Sequence, residues 1–213
     1  MPFPTTGVLT GFVTPPDEHP VSEGGNWFQV AGGATLQDLA KNSGSLQNPS
    51  VTPAGAMYWT PLSLTDTEVF ASLVGTPTDS MAVLLRLKDV GSGSTWDGYG
   101  VYYFPGTPGQ LQFHRITNNG HVTFATVTGI TLVGGDGLGA SMSGSTIRAF
   151  TRSGASGPWT QAGADQTDGT YPGPGFIGLW IRGTGRWDNF GGGAPVAVVT
   201  ASFDFVSVPA RVT

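Results

Sequence analysis

The stretch Pro172–Gly193, PGPGFIGLWIRGTGRWDNFGGG, constrains the fold more than any other part of the chain. Gly173 and Gly175 bracket Pro174, so a tight turn delivers the chain into Phe176–Ile181. That run is short, apolar and bounded by turn residues, the pattern of a strand buried on both faces. Gly178 inside it marks a place where a neighbouring backbone or bulky ring passes close. Arg182–Gly185 is a compact reversal, and Arg186–Phe190 alternates polar and aromatic residues as a half-buried strand does. Together these segments read as the closing hairpin of a β-sandwich.

The rest of the chain agrees. With 34 glycines and 16 prolines in 213 residues, low-complexity disorder is a competing reading. It loses because 11% of residues are aromatic and the apolar residues come in strand-length runs. Candidate strands are Gly7–Val13, Asn26–Val30 and Ala56–Thr60, after which the alternation becomes regular. Thr67–Val74 puts Val69, Ala71 and Leu73 on one face, and Met81–Leu87 is almost wholly apolar, as a central strand would be. Tyr99–Phe104, Gln110–Ile116, Val122–Val127 and Thr146–Thr151 continue the series at the spacing of a sandwich. Ala34–Ala40 is the one segment that could pass for a helical turn. The expectation is an all-β sandwich of two antiparallel sheets, with Trp27, Trp59, Trp180 and Trp187 in its core.

The order of the pieces carries a resemblance. A strand ending in Phe12 is followed by a Pro-Asp-Glu loop, GGNW, a YW strand, TEVFASL and GYGVYY. Then come LQFHRI, the hairpin GDGLGASMSGSTIRAF, and GFIGLWI with WDNFGGG. This resembles the concanavalin A-like jelly roll, in the laminin-G-like form found in minor tail and other virion proteins of actinobacterial phages. The resemblance spans Val8–Gly193, which defines a jelly-roll domain over 1–193 and leaves 194–213 as an extra edge strand or an assembly arm. Relatives begin their first strand with Asp-Asp-Phe or Asp-Asn-Phe, where this chain has Thr10-Gly11-Phe12. An acidic pair is thus missing beside Trp187–Phe190, and with it the carboxylates that a calcium ion would need. No cofactor or metal is expected.

Chemistry is sparse. Only nine lysines and arginines stand against fourteen acidic residues, so a phosphate-binding face is excluded and nucleic acid is not a partner. Cysteine is absent, which removes disulfides, thiolate metal sites and a cysteine nucleophile. MPFPTT lacks the basic and apolar regions of a signal peptide, and no apolar run approaches the ~20 residues of a membrane span. Asp66 and Glu68 share a strand face, but Val69, Phe70 and Ala71 follow where a glucanase pattern needs a third acid. They read as charges on a solvated strand face. His114 and His121 can approach across a hairpin, yet have no placed carboxylate to complete a metal site. Asp136 reads as a turn residue, and no catalytic constellation emerges.

Binding is better supported. Trp96 with Asp97, Trp159 and Tyr171 stand at loop positions, where aromatic platforms that recognise sugars are built and where a ring more often serves as a lid on the core edge. The sequence therefore predicts a non-enzymatic virion protein, from the tail or decorating the head. It would be made in the host cytoplasm, be released by lysis, self-associate, contact other virion proteins and touch a host cell-surface glycan. The competing expectations are a secreted carbohydrate-active hydrolase and a free-standing lectin.

Overall fold

The structure, a computed structural model, describes residues 2–13, 17–30, 36–50, 52–91 and 95–196. Its strands in chain order begin with β1 (Val8–Thr10), β2 (Trp27–Gln29), β3 (Leu36–Gln37), β4 (Ala40–Asn42), β5 (Ser45–Gln47), β6 (Ala54–Leu64), β7 (Thr67–Leu73) and β8 (Met81–Lys88). They continue with β9 (Asp97–Phe104), β10 (Gln110–Thr117), β11 (Gly120–Thr128), β12 (Gly137–Ser143), β13 (Thr146–Arg152), β14 (Trp159–Gln161), β15 (Gln166–Thr167), β16 (Gly175–Ile181) and β17 (Arg186–Gly193).

Sheet I has nine strands in the order β14-β13-β12-β7-β17-β5-β4, with β1 beside β17 and β15 beside β13. Sheet II has eight, in the order β11-β10-β9-β8-β16-β6-β2, with β3 beside β6. Both sheets are antiparallel, apart from the two-residue β3, which runs parallel to β6. The expected two-sheet architecture is what the chain forms.

Alternation along each strand decides which side chains enter the space between the sheets. From sheet II, Met81, Val83 and Leu85 of β8 face inward, as do Ile177, Leu179 and Ile181 of β16. From sheet I they meet Val69, Ala71 and Leu73 of β7. At one end Trp27 packs on Trp59 at 5.3 Å and on Phe190 at 4.7 Å, joining the two sheets through three rings. Trp187 adds a polar link, donating its Nε1–H to the Trp180 carbonyl at 3.1 Å.

Three expectations need correction. Phe176–Ile181 and Arg186–Phe190 do not pair with one another: β16 lies between β8 and β6 in sheet II, whereas β17 lies between β7 and β5 in sheet I. A glycine-rich link serves equally to reverse within a sheet or to step the ~10 Å to the facing one. Because β16 is apolar on both faces, it takes a central place in its own sheet. Second, the described part of Ala34–Ala40 is extended, with Leu39 fully buried and its carbonyl accepting from Val21 N–H. Third, Trp180 points away from the main core, because its neighbours Leu179 and Ile181 take the inward positions. Gly178 behaves as expected, since a Cβ there would collide with the carbonyl of Met57. β17 ends at Gly193, and the strand or arm expected further on lies from 197 outside the described residues.

Candidate functional site

A two-sheet sandwich has one interior, yet this chain buries a second apolar cluster on the outer face of sheet II. Pairing registers order that face in rows. One row runs Phe28, Tyr58, Gly178, Leu84, Gly100, His114, Thr123 across β2, β6, β16, β8, β9, β10 and β11. The next runs Ala56, Trp180, Ala82, Tyr102, Gln112, Thr126. Glycine and alanine in mid-sheet make a shallow floor, and rings rise on both sides of it.

The larger ring group gathers around Tyr102. His114 stacks on it at 4.4 Å with the planes 22° apart, and Trp180 meets it edge-on at 5.7 Å. His121, from the edge strand β11, reaches back to within 5.3 Å of Trp180, which shows how far the β10–β11 hairpin curls over the face. The smaller group is Phe28, Tyr58 and Phe176, with Phe28 51% exposed.

Polar atoms are threaded through these rings. His114 Nε2 lies 2.9 Å from Gln112 Oε1 and 3.0 Å from Thr123 Oγ1. Its proton therefore sits on Nε2, and Nδ1 accepts from His121 Nδ1 at 3.4 Å. Burial, with the neighbouring His121 charge, lowers the His114 pKa to about 4, and burial lowers that of His121 as well. Both imidazoles are neutral at pH 7. Burial raises the Tyr102 hydroxyl well above its ordinary value. Two donors in this group, Tyr102 OH and Trp180 Nε1, are shielded from solvent and have no hydrogen-bond partner among the described residues. No carboxylate or cation enters either row.

The four loop candidates separate. Trp96, weighed as a sugar platform or as a lid on the core edge, is 1% exposed and packs in the outer-face cluster at right angles to His121. Asp97 opens β9 and accepts from the Asn118 N–H at 2.7 Å. Tyr171 packs edge-on against Tyr99, and its hydroxyl meets Thr117 Oγ1 at 2.6 Å. These three converge on the β10–β11 turn, where Asn119 Oδ1 also accepts from Trp96 N–H. Trp159 is elsewhere, in β14 of sheet I, packed on Phe70 and under the Arg152 guanidinium. Sequence reasoning overlooked Tyr102, Gln112, Thr123 and Trp180. The available signal was that β8, β9 and β16 are apolar at both parities, which means both of their faces are covered.

Asp66 and Glu68, the two carboxylates weighed for a hydrolase, line one cavity on the outer face of sheet I. Glu68, expected on a solvated face, is 2% exposed, and its carboxylate accepts from Thr5 N–H and Oγ1–H and from Thr6 N–H and Oγ1–H. Asp66 accepts from Ser143 Oγ and Gly144 N–H, while Asp97 stands on the other sheet. Asp136 is the turn residue expected, accepting from Val133 and Gly154 N–H groups. β1 does lie beside β17, and there Asp188 Oδ1 and Asn189 Oδ1 both face the Gly11 position. Among the described residues no three His, Cys, Asp or Glu side chains come together as metal ligands, and no helix is long and apolar enough to cross a membrane.

Neither a family model nor a curated protein matches this sequence. Solved structures do match its fold. A carbohydrate-binding module, CBM66 from Bacillus subtilis, superposes with a TM-score of 0.60 at 14% identity, over 79% of this chain and 96% of that one. Lectin II from Ulex europaeus gives 0.56 at 10% identity, covering 84% and 97%. The CBM2 module of the evolved Dit of Lactobacillus casei BL23 phage J-1 gives 0.55 at 10% identity, covering 88% and 95%. The chain has the concanavalin A-like jelly-roll fold of lectins and carbohydrate-binding modules.

Proposed function

We propose that this protein is a non-enzymatic carbohydrate-binding module that takes an uncharged glycan on the outer face of sheet II. The observation that carries the reading is the pair of shielded, unpartnered donors, Tyr102 OH and Trp180 Nε1, set among stacked rings. Buried donors of this kind call for an acceptor, and sugar hydroxyls supply acceptors while the C–H faces of the ring lie on aromatic carbon. Gln112, Thr123 and His121 stand ready at the rim as further hydrogen-bonding groups. The absence of charge from both rows favours a neutral sugar over a uronic or sialic acid. The lectin and carbohydrate-binding neighbours agree with this reading at the level of fold.

The setting we propose is a phage particle, on tail or head, where the module would contact other virion proteins and a host cell-surface glycan. The order of strand motifs and the shared fold with a module of phage J-1 Dit support it. The hydrolase reading has less support, because Glu68 accepts four hydrogen bonds from Thr5 and Thr6 and Asp97, the partner carboxylate weighed for it, stands on the other sheet.

A glycan array followed by calorimetry on the strongest hit tests the proposal. Trp180→Ala is expected to weaken binding at least ~10-fold, the loss of roughly one stacked ring, while Trp159→Ala on the other sheet leaves it unchanged. Equal affinity of the wild type and Trp180→Ala contradicts the assignment.

A further inference from the structure

The N-terminal residues lie on the outer face of sheet I in the manner of a bound peptide. Pro2–Thr6 joins no strand. Phe3 stacks flat on Phe150 at 3.9 Å, and meets Trp159 at 5.2 Å and Phe70 at 6.4 Å edge-on. Gly139 makes the slot: a Cβ there would come within 2.5 Å of the Phe3 ring. Two residues further on, Thr5 and Thr6 supply four hydrogen bonds to the buried Glu68 carboxylate, at 2.5–3.1 Å. An aromatic slot and a buried acceptor, both filled by one short segment, make a recognition site of the kind proteins use for extended peptides.

The attachment is open to exchange. Only Gly7 separates the segment from β1, and nothing lies within 4 Å of a Cβ at that position. A cavity of about 340 Å³ runs alongside, bounded by Pro2, Phe3 and Thr5 on one side and by Ser141, Arg148 and Gln161 of the sheet on the other. Beside the departure point Val8 and Leu9 are 55% and 39% exposed, and Val196, which bonds Thr5 Oγ1 through its N–H, is 60% exposed. Among the described residues these three side chains form an exposed apolar edge. The five residues Pro2–Thr6, extended, reach ~17 Å, more than the ~10 Å between apposed sheet faces, so the segment can cross to a neighbour.

We propose that the slot formed by Phe70, Gly139, Phe150 and Trp159, with Glu68, is the acceptor for the N-terminal arm, Pro2–Thr6, of a second copy of this chain. Copies associate by exchanging arms, and the contact buries the Val8–Leu9 edge. An identical segment fits the partner's slot as it fits its own, the economy of an isologous contact. The proposal rests on sheet I alone and is independent of glycan binding on sheet II.

Complementation tests it. Phe3→Ala leaves an intact slot without an anchored arm, and Gly139→Val leaves an intact arm without a slot. Each full-length variant is expected to be monomeric alone by light scattering. Mixed in equal amounts they are expected to form a heterodimer of twice the mass, because the free arm of one enters the free slot of the other. Circular dichroism checks that each variant is folded. Glu68→Gln, whose amide N–H groups would oppose those of Thr5 and Thr6, replaces Gly139→Val if that chain does not fold. A mixture of folded chains that stays monomeric overturns the proposal.

Discussion

The residue that reports most directly on the outer face of sheet II is His114. Its pKa is held down to about 4 by burial and by the His121 charge, against an ordinary value near 6.5. The unfolded chain therefore takes up a proton that the folded chain refuses between those two values. The stability that neutral His114 contributes is complete above about pH 6.5 and is lost as pH falls toward 4, about 3 kcal/mol at full effect. His121, lowered by the same burial, acts with the same sign. Chemical denaturation followed from about pH 7.5 to about pH 4 should show this slope, and His114→Gln should flatten it in that window. A wild-type slope that survives the substitution would place its source elsewhere. Glycan affinity should fall only as pH drops to about 4, where the folded chain takes up the proton on His114. Two cations on imidazoles whose Nδ1 atoms are 3.4 Å apart repel, and His121 then leaves its position against Trp180.

At the scale of elements, the β10–β11 hairpin carries His121 and Thr123 to the face, and its turn decides where they land. Asn118 and Asn119 both have positive φ, 49° and 66°, the geometry of a two-residue hairpin loop that asparagine tolerates. Asn118→Val should cost about 1–2 kcal/mol, read from a thermal melt, and should weaken glycan binding as the hairpin shifts. Asn118→Gly should preserve both. This hairpin was legible in the sequence, because its partners are neighbours along the chain and TNNG is a turn signal. So were the strands themselves, whose alternation is local. Two features escaped for the same reason. Glu68 is buried by residues 62 and 63 positions away, and nothing near it in the chain announces them. The link from β16 to β17 has the same composition whether it reverses within a sheet or steps between sheets, so the pairing of β16 with β6 and β8 could not be read from it. Trp180 was assigned to the core because apolar residues at both parities do not reveal which parity faces inward.

The whole molecule is a sandwich with two differently equipped outer faces. The face of sheet II carries rings, imidazoles and unpartnered donors, and the face of sheet I holds the N-terminal segment over Glu68. What separates them is a core closed by Trp27, Trp59 and Phe190. Phe190→Ala should destabilise the fold by about 3–5 kcal/mol in urea, since the cavity lies between two sheets that cannot close over it. With only 11% charged residues, the surface is polar without strong fields, which suits recognition of neutral sugars by hydrogen bonds and ring contacts.

The central claim is that a glycan lies on the outer face of sheet II. The most direct measurement is NMR of the indole N–H and imidazole resonances while the oligosaccharide selected by the array is titrated in. The Trp180 indole N–H should shift as it gains an acceptor, together with the rings of His114 and His121, while the Trp159 indole stays still. Saturable shifts confined to Trp159, or binding that leaves Trp180 and both histidines unmoved, would contradict the account.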